Sequence, residues 1–430
     1  MPSHFIAPAL SRIYISPGTA ISETVQSDIL ITGGGIVGST LALALSKAGF
    51  EVTLIDTLPK ATRRKRGFDG RSYAMALATT RMLRTLGLWD ELGDTAQQMN
   101  AIKVSDGRTG QRPSPFFMHF DHAEIGPDPM GYMVEDRHAR VALLNAEADE
   151  ARFTHLAKKR VVAQSIAPGR ATVTLDNGQE LSAPLLIGCD GRTSGTATRA
   201  GISRMAWRYG QTSLVCALHV EKPHGGTAHQ LFLPEGPLAI LPLTNNRVGV
   251  VWTASERQAT AIAAMDDAAY LATLRPRFGT FLGEIALAGE RFTYPLGLSL
   301  ARSFIAQRVA LVGDAAHGIH PIAGQGLNAG MRDVAALTEV LAKARRRGED
   351  IGSASVLARY QQWRRFDTAT LALATDSFNR LFSNDSPGLR ALRDLGMGAV
   401  NALPGLRRGF MREAAGLTGD LPALLRGEPV

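Results

Sequence analysis

The sequence has 430 residues, of which 45% are hydrophobic and 20% are charged, and this length predicts two or three domains with ample core. Lys and Arg outnumber Asp and Glu by 47 to 39, which gives a net charge of +8 and suits an anionic surface or ligand. No nucleic-acid-binding motif accompanies that charge, so we expect no nucleic acid partner. Only two cysteines are present, Cys189 and Cys216. They exclude a disulfide framework and a cysteine-based metal site, so we predict no metal and a reducing, cytoplasmic compartment.

Two further features concern membranes and the beginning of the chain. No apolar run approaches the roughly 18–20 residues that span a bilayer. Residues 1–27 contain three prolines and no charged segment followed by an apolar one. We interpret them as an N-terminal extension and not as a signal peptide.

The first motif lies between two predicted strands. Residues 28–32 form an apolar run, and a loop with G-x-G-x-x-G spacing begins directly after it at Gly33. A helical pattern and a second apolar run follow, and that run ends in Asp56, at about the spacing of an acid that binds a ribose. This order predicts a dinucleotide site, whereas a glycine-rich turn in an ordinary α/β unit would not explain the acid. The residues of the predicted site are Gly33, Gly35, Ile36, Val37, Gly38 and Asp56.

The second motif begins at Val309 and extends to Asp333. Residues 309–312 are apolar and predict a strand that is buried on both faces, which Gly313 and Asp314 end. A loop of small residues follows and opens a helix, so free backbone N–H groups and a positive helix end would face a ligand there. A tight strand-to-helix turn is the alternative interpretation of the glycines alone.

The order of residues in this segment is more specific than its glycine content. It contains Gly-Asp, His-Pro, Gly-Gln-Gly-x-Asn-x-Gly and Arg-Asp in succession. That order resembles the flavin-binding segment of FAD-dependent aromatic hydroxylases, in particular the ubiquinone-biosynthesis hydroxylases with a fold like that of para-hydroxybenzoate hydroxylase. The resemblance implies an FAD cofactor and a flavin-facing loop that leads into the helix. The residues of this loop and helix start are His320, Pro321, Gly324, Gln325, Gly326, Leu327 and Asn328.

The resemblance also implies a reaction. NAD(P)H, bound transiently because only one dinucleotide fold is visible, reduces FAD, and O2 adds to form a flavin C4a-hydroperoxide. This species hydroxylates the aromatic ring of a hydrophobic small molecule, a polyprenylphenol-type intermediate of ubiquinone biosynthesis. The helix start at Gly326 would stabilise negative charge on the reduced flavin. Pro321 would lie against the flavin ring, and Asp314 would bind the ribitol chain.

Two more segments resemble the same family. Arg71 lies in a segment that the family places near the cofactor phosphates, although a surface salt bridge is the alternative for this residue. The dipeptide Asp190-Gly191 resembles the family's DG motif near the pyrophosphate. The family usually has an arginine seven positions after that Asp, where this chain has Ala197, and its nearest arginine is Arg199. Where the family commonly has Asn, this chain has Asp136, so we assign no role to that position.

No residue is identified as the catalytic base. His317, His320 and Tyr294 are close to the motifs in the sequence, and a histidine in such a loop is more often structural. The basic run at residues 63–66 is interpreted as a solvated loop, and contact with an anionic lipid surface or a phosphate of the reductant is the alternative.

The predicted fold class is α/β. It consists of a Rossmann-like FAD-binding domain that is discontinuous in sequence, an inserted and mainly antiparallel substrate sheet, and a C-terminal helical region. The predicted segments are an N-terminal extension at 1–27, the FAD-binding domain at 28–206 and 298–345, the substrate domain at 207–297 and the C-terminal helices at 346–430.

The sequence leaves more than one function and location open. A flavin-dependent halogenase would share the fold, but its W-x-W motif is absent from the sequence. A flavoprotein reductase of prenyl chains and a non-catalytic FAD-bound subunit of a biosynthetic complex would also suit the cofactor motifs. Residues 381–425 mix leucines with arginines, which predicts either helices packed on the protein or a peripheral contact with the inner face of the cytoplasmic membrane and with partner enzymes.

Overall fold

A computed structural model describes residues 27–65, 67–107, 109–110, 117–319, 324–382 and 396–430. The strands are, in chain order, β1 Ile29–Thr32, β2 Val52–Asp56, β3 Ser72–Ala76, β4 Gln97–Met99, β5 Ala101–Asp106, β6 Phe117–Asp121, β7 Gly131–Glu135, β8 Phe153–Ala157, β9 Val161–Ala167, β10 Arg170–Leu175, β11 Glu180–Ala183, β12 Leu185–Gly188, β13 Arg204–Val220, β14 Thr227–Leu233, β15 Gly236–Leu243, β16 Arg247–Ser255, β17 Ile285–Leu287, β18 Phe292–Ala301, β19 Ile305–Ala306, β20 Val309–Leu311 and β21 His317–Gly318. The α-helices are α1 Ile36–Lys47, α2 Lys60–Arg63, α3 Leu77–Thr85, α4 Trp89–Leu92, α5 Asp136–Ala148, α6 Gly195–Arg199, α7 Glu256–Ala263, α8 Asp267–Phe278, α9 Gln325–Arg346, α10 Ala354–Phe382, α11 at residues 396–402, α12 Pro404–Ala414 and α13 Ala423–Arg426.

The first sheet carries both glycine motifs. Its strand order is β19-β20-β12-β1-β2-β8, and the neighbouring strands are parallel except for the antiparallel pair β19–β20. Strands β1, β2, β12 and β20 are buried along their whole length, as expected of parallel strands that are covered on both faces. The carboxyl ends of these strands meet at one edge of the sheet, where ligands of such folds bind.

Helices α1, α9 and α10 complete the core around this sheet. Leu41 of α1, Leu337 of α9 and Tyr360 of α10 are fully buried in one cluster with the strands. The Tyr360 hydroxyl donates a hydrogen bond of 2.8 Å to the carbonyl oxygen of Leu311 at the end of β20. Long-range packing of this kind fixes the strand with which the second motif begins.

The large second sheet has the order β21-β18-β13-β16-β15-β14-β5-β6, with β17 paired to β13. Its neighbours are antiparallel except for the parallel pair β14–β5. Helices α7 and α8 cover one face, where Trp252, Tyr270 and Phe278 are buried. The opposite face meets the FAD-binding part of the chain, because a Cβ on Gly70 would overlap the ring of Phe292.

Two hairpins that the sequence predicts are present. Strands β10 and β11 pair across a turn in which Gly178 has a φ of +83°. Strands β15 and β16 pair across a turn in which Asn245 and Asn246 have φ values of +61° and +50°. Glycine adopts this left-handed region freely and asparagine tolerates it better than most residues do, which explains why the two turns form at these positions.

The predicted fold class is confirmed, since a mixed α/β chain contains a discontinuous parallel-sheet domain, an antiparallel sheet and C-terminal helices. The boundary at 207–297 stays a prediction, and the antiparallel sheet also takes β5, β6 and β21 from outside that segment. Among the helices of the described ranges, none is long and apolar enough to span a membrane.

Candidate active site

The glycine loop after β1 has the shape that the first motif predicts. Gly33 has a φ of +96°, and a Cβ there would overlap the carbonyl oxygen of Cys189. A Cβ on Gly38 would overlap the carbonyl oxygen of Gly33, whereas a Cβ on Gly35 would meet no atom within 4 Å. Helix α1 begins at Ile36 without a side-chain cap. The loop is therefore closely packed on one side and open on the other, where the N–H groups of the helix start can bind an anion.

Asp56 lies beside this loop at the end of β2. A Cβ on Gly34 would be 3.0 Å from the Asp56 carboxylate. The carboxylate is buried and accepts a 2.5 Å hydrogen bond from Nε of Arg63, and Nε2 of His155 is 3.9 Å away. Burial raises the pKa of Asp56, but His155 and Arg63 outweigh this effect and hold the pKa below its ordinary value. Asp56 is thus kept charged next to the predicted ribose position.

Arg63 corrects part of the sequence interpretation. We expected residues 63–66 to form a solvated loop, but the Arg63 side chain is only 9% exposed in its ion pair with Asp56. The reason is that residues 60–63 form the short helix α2, which directs Arg63 back onto β2. Arg64 and Lys65 are exposed as predicted, and Arg66 lies outside the described residues.

Arg71 belongs to a cluster of charged residues at the start of β3. Its Nη2 atom is 2.6 Å from Oδ2 of Asp69 and 2.9 Å from Oδ2 of Asp136. Asp136 is buried, accepts a 2.7 Å hydrogen bond from the Tyr73 hydroxyl, and lies 2.7 Å from Nε of Arg140. Burial raises the pKa of Asp136, although the charge of Arg71 opposes that shift. The Arg71 side chain remains 46% exposed, so it can still reach a phosphate, as the resemblance implies.

The second motif lies against the first. Gly313 has a φ of +63°, and a Cβ there would be 3.1 Å from the Val37 side chain, while a Cβ on Gly330 would be 3.0 Å from the same side chain. Asp314 follows, with its side chain 47% exposed and Oδ2 3.3 Å from Nε of Arg192. The two predicted halves of the cofactor site therefore form one cradle, and the Asp314 carboxylate is accessible within it.

Helix α9 begins beside this cradle. Gly324 precedes it with a φ of +64°, no side chain caps its N-terminus, and a Cβ on Gly326 would meet no atom within 4 Å. Oδ1 of Asn328 accepts hydrogen bonds from the backbone N–H of Ala76 at 3.0 Å and the Thr79 hydroxyl at 2.9 Å. Asn328 therefore ties the helix start to β3 and α3 through its side chain. Leu327 is partly buried against the core.

The Asp190 carboxylate makes hydrogen bonds within the protein, and its contact with the cofactor stays a prediction. Its carboxylate accepts hydrogen bonds from the Ser194 hydroxyl and from both the backbone N–H and the hydroxyl of Thr196, the last two at 2.9 Å. These bonds hold the turn at Gly191, where φ is +80°, so Asp190 shapes the loop beside Gly33. Ala197 is fully buried, and the position leaves no room for the arginine that the family usually has.

The candidate bases occupy different environments. His317 is buried, and its Nε2 atom is 2.5 Å from Oδ2 of Asp333. The other carboxylate oxygen of Asp333, Oδ1, is 2.8 Å from Nε of Arg364. Burial raises the pKa of Asp333, but the charges of His317 and Arg364 outweigh this effect and hold the pKa below its ordinary value. These contacts favour a structural role for His317, which stays a prediction. Tyr294 is partly exposed and donates a 3.3 Å hydrogen bond to the carbonyl oxygen of Asp69. His320 and Pro321, together with the rest of 320–323, lie outside the described residues.

Sequence reasoning missed several residues that shape the site. Arg204 of β13 donates to the carbonyl oxygens of Asp314, at 3.0 Å, and Ala315. Burial lowers the pKa of Arg204. Arg247 of β16 donates a 2.5 Å hydrogen bond to Oε1 of the buried Glu135, which joins the antiparallel sheet to β7. No spacing or motif in the sequence connects residues so far apart in the chain.

The described residues fit the predicted cofactor. The closely packed glycines, the open helix starts and the accessible carboxylate of Asp314 match the needs of a pyrophosphate and a ribitol chain. Among the residues that the structure describes, no group of three His, Cys, Asp or Glu side chains is arranged to hold a metal ion.

Comparisons with known proteins agree with this geometry. A protein-family model described as "FAD binding domain" matches residues 26–372. The chain is 43% identical over 417 residues to "Ubiquinone hydroxylase UbiL" of Rhodospirillum rubrum, covering 96% of both chains. It is 35% identical to "3-demethoxyubiquinol 3-hydroxylase" of Escherichia coli, covering 91% of this chain and 99% of that one. Rat "Ubiquinone biosynthesis monooxygenase COQ6, mitochondrial" is 32% identical, with 92% of each chain covered.

Solved structures show the same fold. The p-nitrophenol 4-monooxygenase PnpA from Pseudomonas putida superposes with a TM-score of 0.75 at 20% identity, covering 92% of this chain and 99% of that chain. The flavin-dependent halogenase CmlS superposes with a TM-score of 0.69 at 18% identity, covering 88% of this chain and 71% of that one. At these identities the likeness concerns the fold alone.

Proposed function

The chain belongs to the FAD-binding-domain family of ubiquinone-biosynthesis hydroxylases, and from this premise we propose that it hydroxylates the aromatic ring of a polyprenylphenol-type intermediate with NAD(P)H and O2. The observation that carries the proposal is the contact of Val37 with both Gly313 and Gly330 positions. Because of this close approach the two glycine motifs, which are distant in the sequence, lie side by side, as a single FAD-binding cradle requires.

Different residues of the cradle bind different parts of the cofactor in this proposal. In this proposal Gly33, Gly35, Gly38 and the start of α1 hold the pyrophosphate, Asp56 binds the adenosine ribose and Asp314 binds the ribitol chain. Arg71 contributes a cation beside the phosphates. Bound FAD supplies the activation of O2 for hydroxylation.

The start of α9 contributes electrostatically to cofactor binding in this proposal. Its uncapped N–H groups lie beside the open position at Gly326, where they stabilise negative charge on a ring bound there by about 0.3–2 kcal/mol. Asp333 joins this helix to the loop after β20, because it pairs with His317 and also accepts a 2.9 Å hydrogen bond from the backbone N–H of Gly313. These two residues are therefore positioning residues in the proposal.

The substrate ring lies, in this proposal, between the cradle and the face of the antiparallel sheet opposite α7 and α8. Phe292 and Tyr294 of β18 already approach residues 69–70 across this boundary. Because Tyr294 is partly exposed there, it is the described side chain best placed to contact a phenol.

Turnover by the FAD-loaded protein tests the function. We expect a prenylated phenol to stimulate NAD(P)H oxidation, with O2 consumption and a product that is heavier by one oxygen atom. Denaturation should release free FAD. Reduction of substrate without O2 consumption would support the reductase instead. No substrate-stimulated oxidation with any phenol would support a non-catalytic subunit. A halogenated product would support the halogenase.

The chain also exposes large apolar side chains that suit peripheral membrane contact. Large apolar side chains are exposed on α10 and around α12, namely Phe366, Leu373, Leu403, Leu406 and Phe410. Arg408 is exposed beside them. In contrast, Met397, Met411 and Leu424 are buried, so the interpretation of the tail as packed helices holds for those residues. We propose that the exposed set touches the inner face of the cytoplasmic membrane, or a partner enzyme held there.

Flotation with anionic liposomes tests that contact. The variant Leu406→Ser/Phe410→Ser removes two apolar side chains of α12 that are both exposed. We expect it to keep its FAD and to bind the liposomes less than the original chain does. A matched variant at a distant exposed site, Val162→Ser, should bind as the original does. Equal binding by all three proteins would contradict membrane contact through α12.

A further inference from the structure

Methionines gather at one end of the antiparallel sheet. Six of the twelve methionines in the chain belong to three neighbouring apolar clusters on the face of the sheet opposite α7 and α8. These six are Met99, Met118, Met130, Met133, Met397 and Met411. They come from β4, β6, β7 with the loop before it, α11 and α12. Because methionine is unbranched and flexible, such a region can change its packing around a ligand of irregular shape.

The three clusters form one continuous path. The first contains Met99, Met133 and Ala74, and Ile102 packs against both the first and the second. The second contains Phe120, Met130 and Met411, and Met118 joins it to the third, where Phe232 and Met397 pack together. Apolar contact therefore extends without interruption from β3 to the C-terminal helices.

The inner end of this path lies at the candidate active site. The carbonyl oxygen of Ala74 accepts a 2.9 Å hydrogen bond from Nδ2 of Asn328, and the Ala74 side chain is 3.0 Å from a Cβ built on Gly324. Small side chains line this end, since Ala217 and Ala228 belong to the same cluster as Ala74. The inner end of the path is thus lined by alanines together with Met133, which is the β7 partner of Ala74.

The outer end of the path lies under α11 and α12. Met411 and Met397 cover it from these helices, while Leu403, Leu406 and Phe410 are exposed on their outer side. Polar contacts hold the cover at two places among the described residues. Arg407 donates hydrogen bonds of 3.0 and 2.8 Å to Oε2 of Glu124, and Oδ1 of Asn401 accepts a 3.1 Å hydrogen bond from the backbone N–H of His119.

We propose that this path, from Ala74 through Met118 to Met411, binds the isoprenoid chain of the substrate while its ring lies at the start of α9. The inference rests on the proposed substrate class and specifies where its apolar part binds. An isoprenoid chain offers no hydrogen-bonding groups, so a wall of alanine, methionine and phenylalanine side chains matches it chemically. Repacking of the methionines makes room for it, and the exposed residues of α12 receive whatever length extends beyond the core.

Met118→Trp tests the path, because Met118 is partly buried where the second and third clusters meet and a larger side chain there narrows the route. Met265→Trp is the matched control, since Met265 packs on the other face of the sheet against α7 and α8. Calorimetric titration of the FAD-loaded full chain compares three ligands: farnesol, 2-farnesylphenol and 2-methylphenol. If Met118→Trp does not retain FAD, Met118→Phe replaces it.

We expect Met118→Trp to lower the affinity for 2-farnesylphenol, relative to that for 2-methylphenol, by about 10-fold. Binding of farnesol should fall by a similar factor, and Met265→Trp should leave all three affinities as they were. An unchanged ratio of the two phenols, or an equal change in the control, would overturn the path. Farnesol binding that depends on Met118, in a protein that hydroxylates no phenol, would support the path and contradict the proposed function.

Discussion

Two aspartates follow strands of the parallel sheet, and the protein treats them differently. Asp56 is buried and already bound to Arg63, with His155 nearby. Asp314 is about half exposed, and its nearest cation, Arg192, is 3.3 Å away and 41% exposed. The comparison teaches that one carboxylate is held in place by the protein before any ligand arrives, whereas the other is left available. We therefore expect substitutions near Asp56 to affect stability, and substitutions at Asp314 to affect the ligand.

The largest expected effect comes from breaking the buried pair. Arg63→Met leaves the Asp56 charge buried without its main partner, and we expect the free energy of unfolding to fall by about 3–5 kcal/mol. The corresponding Arg192→Met, at an exposed pair, should change it by less than about 1 kcal/mol. Thermal and denaturant unfolding of the FAD-free proteins measure both values.

Arg64→Met controls for the loss of a positive charge in the same segment. Arg64 is exposed, so this variant should unfold like the original chain. If Arg63→Met were no more destabilising than Arg64→Met, the contrast between a preformed and an open carboxylate would be wrong.

The next effect concerns the open carboxylate. Asp314→Ala should weaken FAD binding by about 10- to 150-fold, which corresponds to the loss of a charged hydrogen bond of roughly 1.5–3 kcal/mol. The FAD-free protein should keep its stability, because Asp314 makes only an exposed ion pair. Fluorescence titration of the FAD-free protein gives the dissociation constant.

Asp350→Ala is the matched control for Asp314→Ala. Asp350 is similarly exposed and pairs with Arg308, but it lies away from the cradle. An unchanged FAD dissociation constant in Asp314→Ala, or an equal loss in Asp350→Ala, would refute the assignment of Asp314 to the cofactor.

The smallest expected effect is on the pH dependence of stability, through His155, which lies beside Asp56. Burial lowers the pKa of His155, but Asp56 and Glu147 outweigh this and leave it above its ordinary value. A group with a raised pKa stabilises the fold fully below its unfolded pKa, about 6.5, and this contribution is lost as the pH rises through the folded value. Lys60 also faces this group through Glu147, and Arg63 faces it through Asp56.

We therefore expect the original chain to lose stability as the pH rises above about 6.5, and His155→Gln to show a flatter profile. The lowered pKa of Asp56 acts in the opposite direction and only in acid, where its contribution disappears as the pH falls. Melting temperatures across this range provide the measurement. Parallel profiles for the two proteins would show that His155 does not carry a proton in the folded state.

The sequence predicted the parts of the site that depend on the backbone. Gly33 and Gly38 could be recognised because steric limits on a tight turn act over a few residues and leave a fixed spacing. The same holds for the turns at Gly178 and Asn245. The burial of Arg63 was not predictable, because a short helix decides which member of a basic run turns inward.

Long-range pairing accounts for the other differences. Arg247 reaches Glu135, and Arg204 reaches the carbonyl oxygen of Asp314, across more than a hundred positions. Strand β5 enters the antiparallel sheet through its parallel pairing with β14. Such contacts depend on how whole elements pack, and no local pattern records them. The same limit explains why the methionine path was not foreseen, since its members come from separate strands and helices.

A crystal structure of the protein with FAD tests the central claim most directly. The account predicts one FAD molecule across both glycine motifs, with its pyrophosphate at Gly35, its ribitol bonded to Asp314, and its adenosine ribose bonded to an Asp56 carboxylate that still pairs with Arg63. FAD bound elsewhere, or bound without contact to either aspartate, would contradict it.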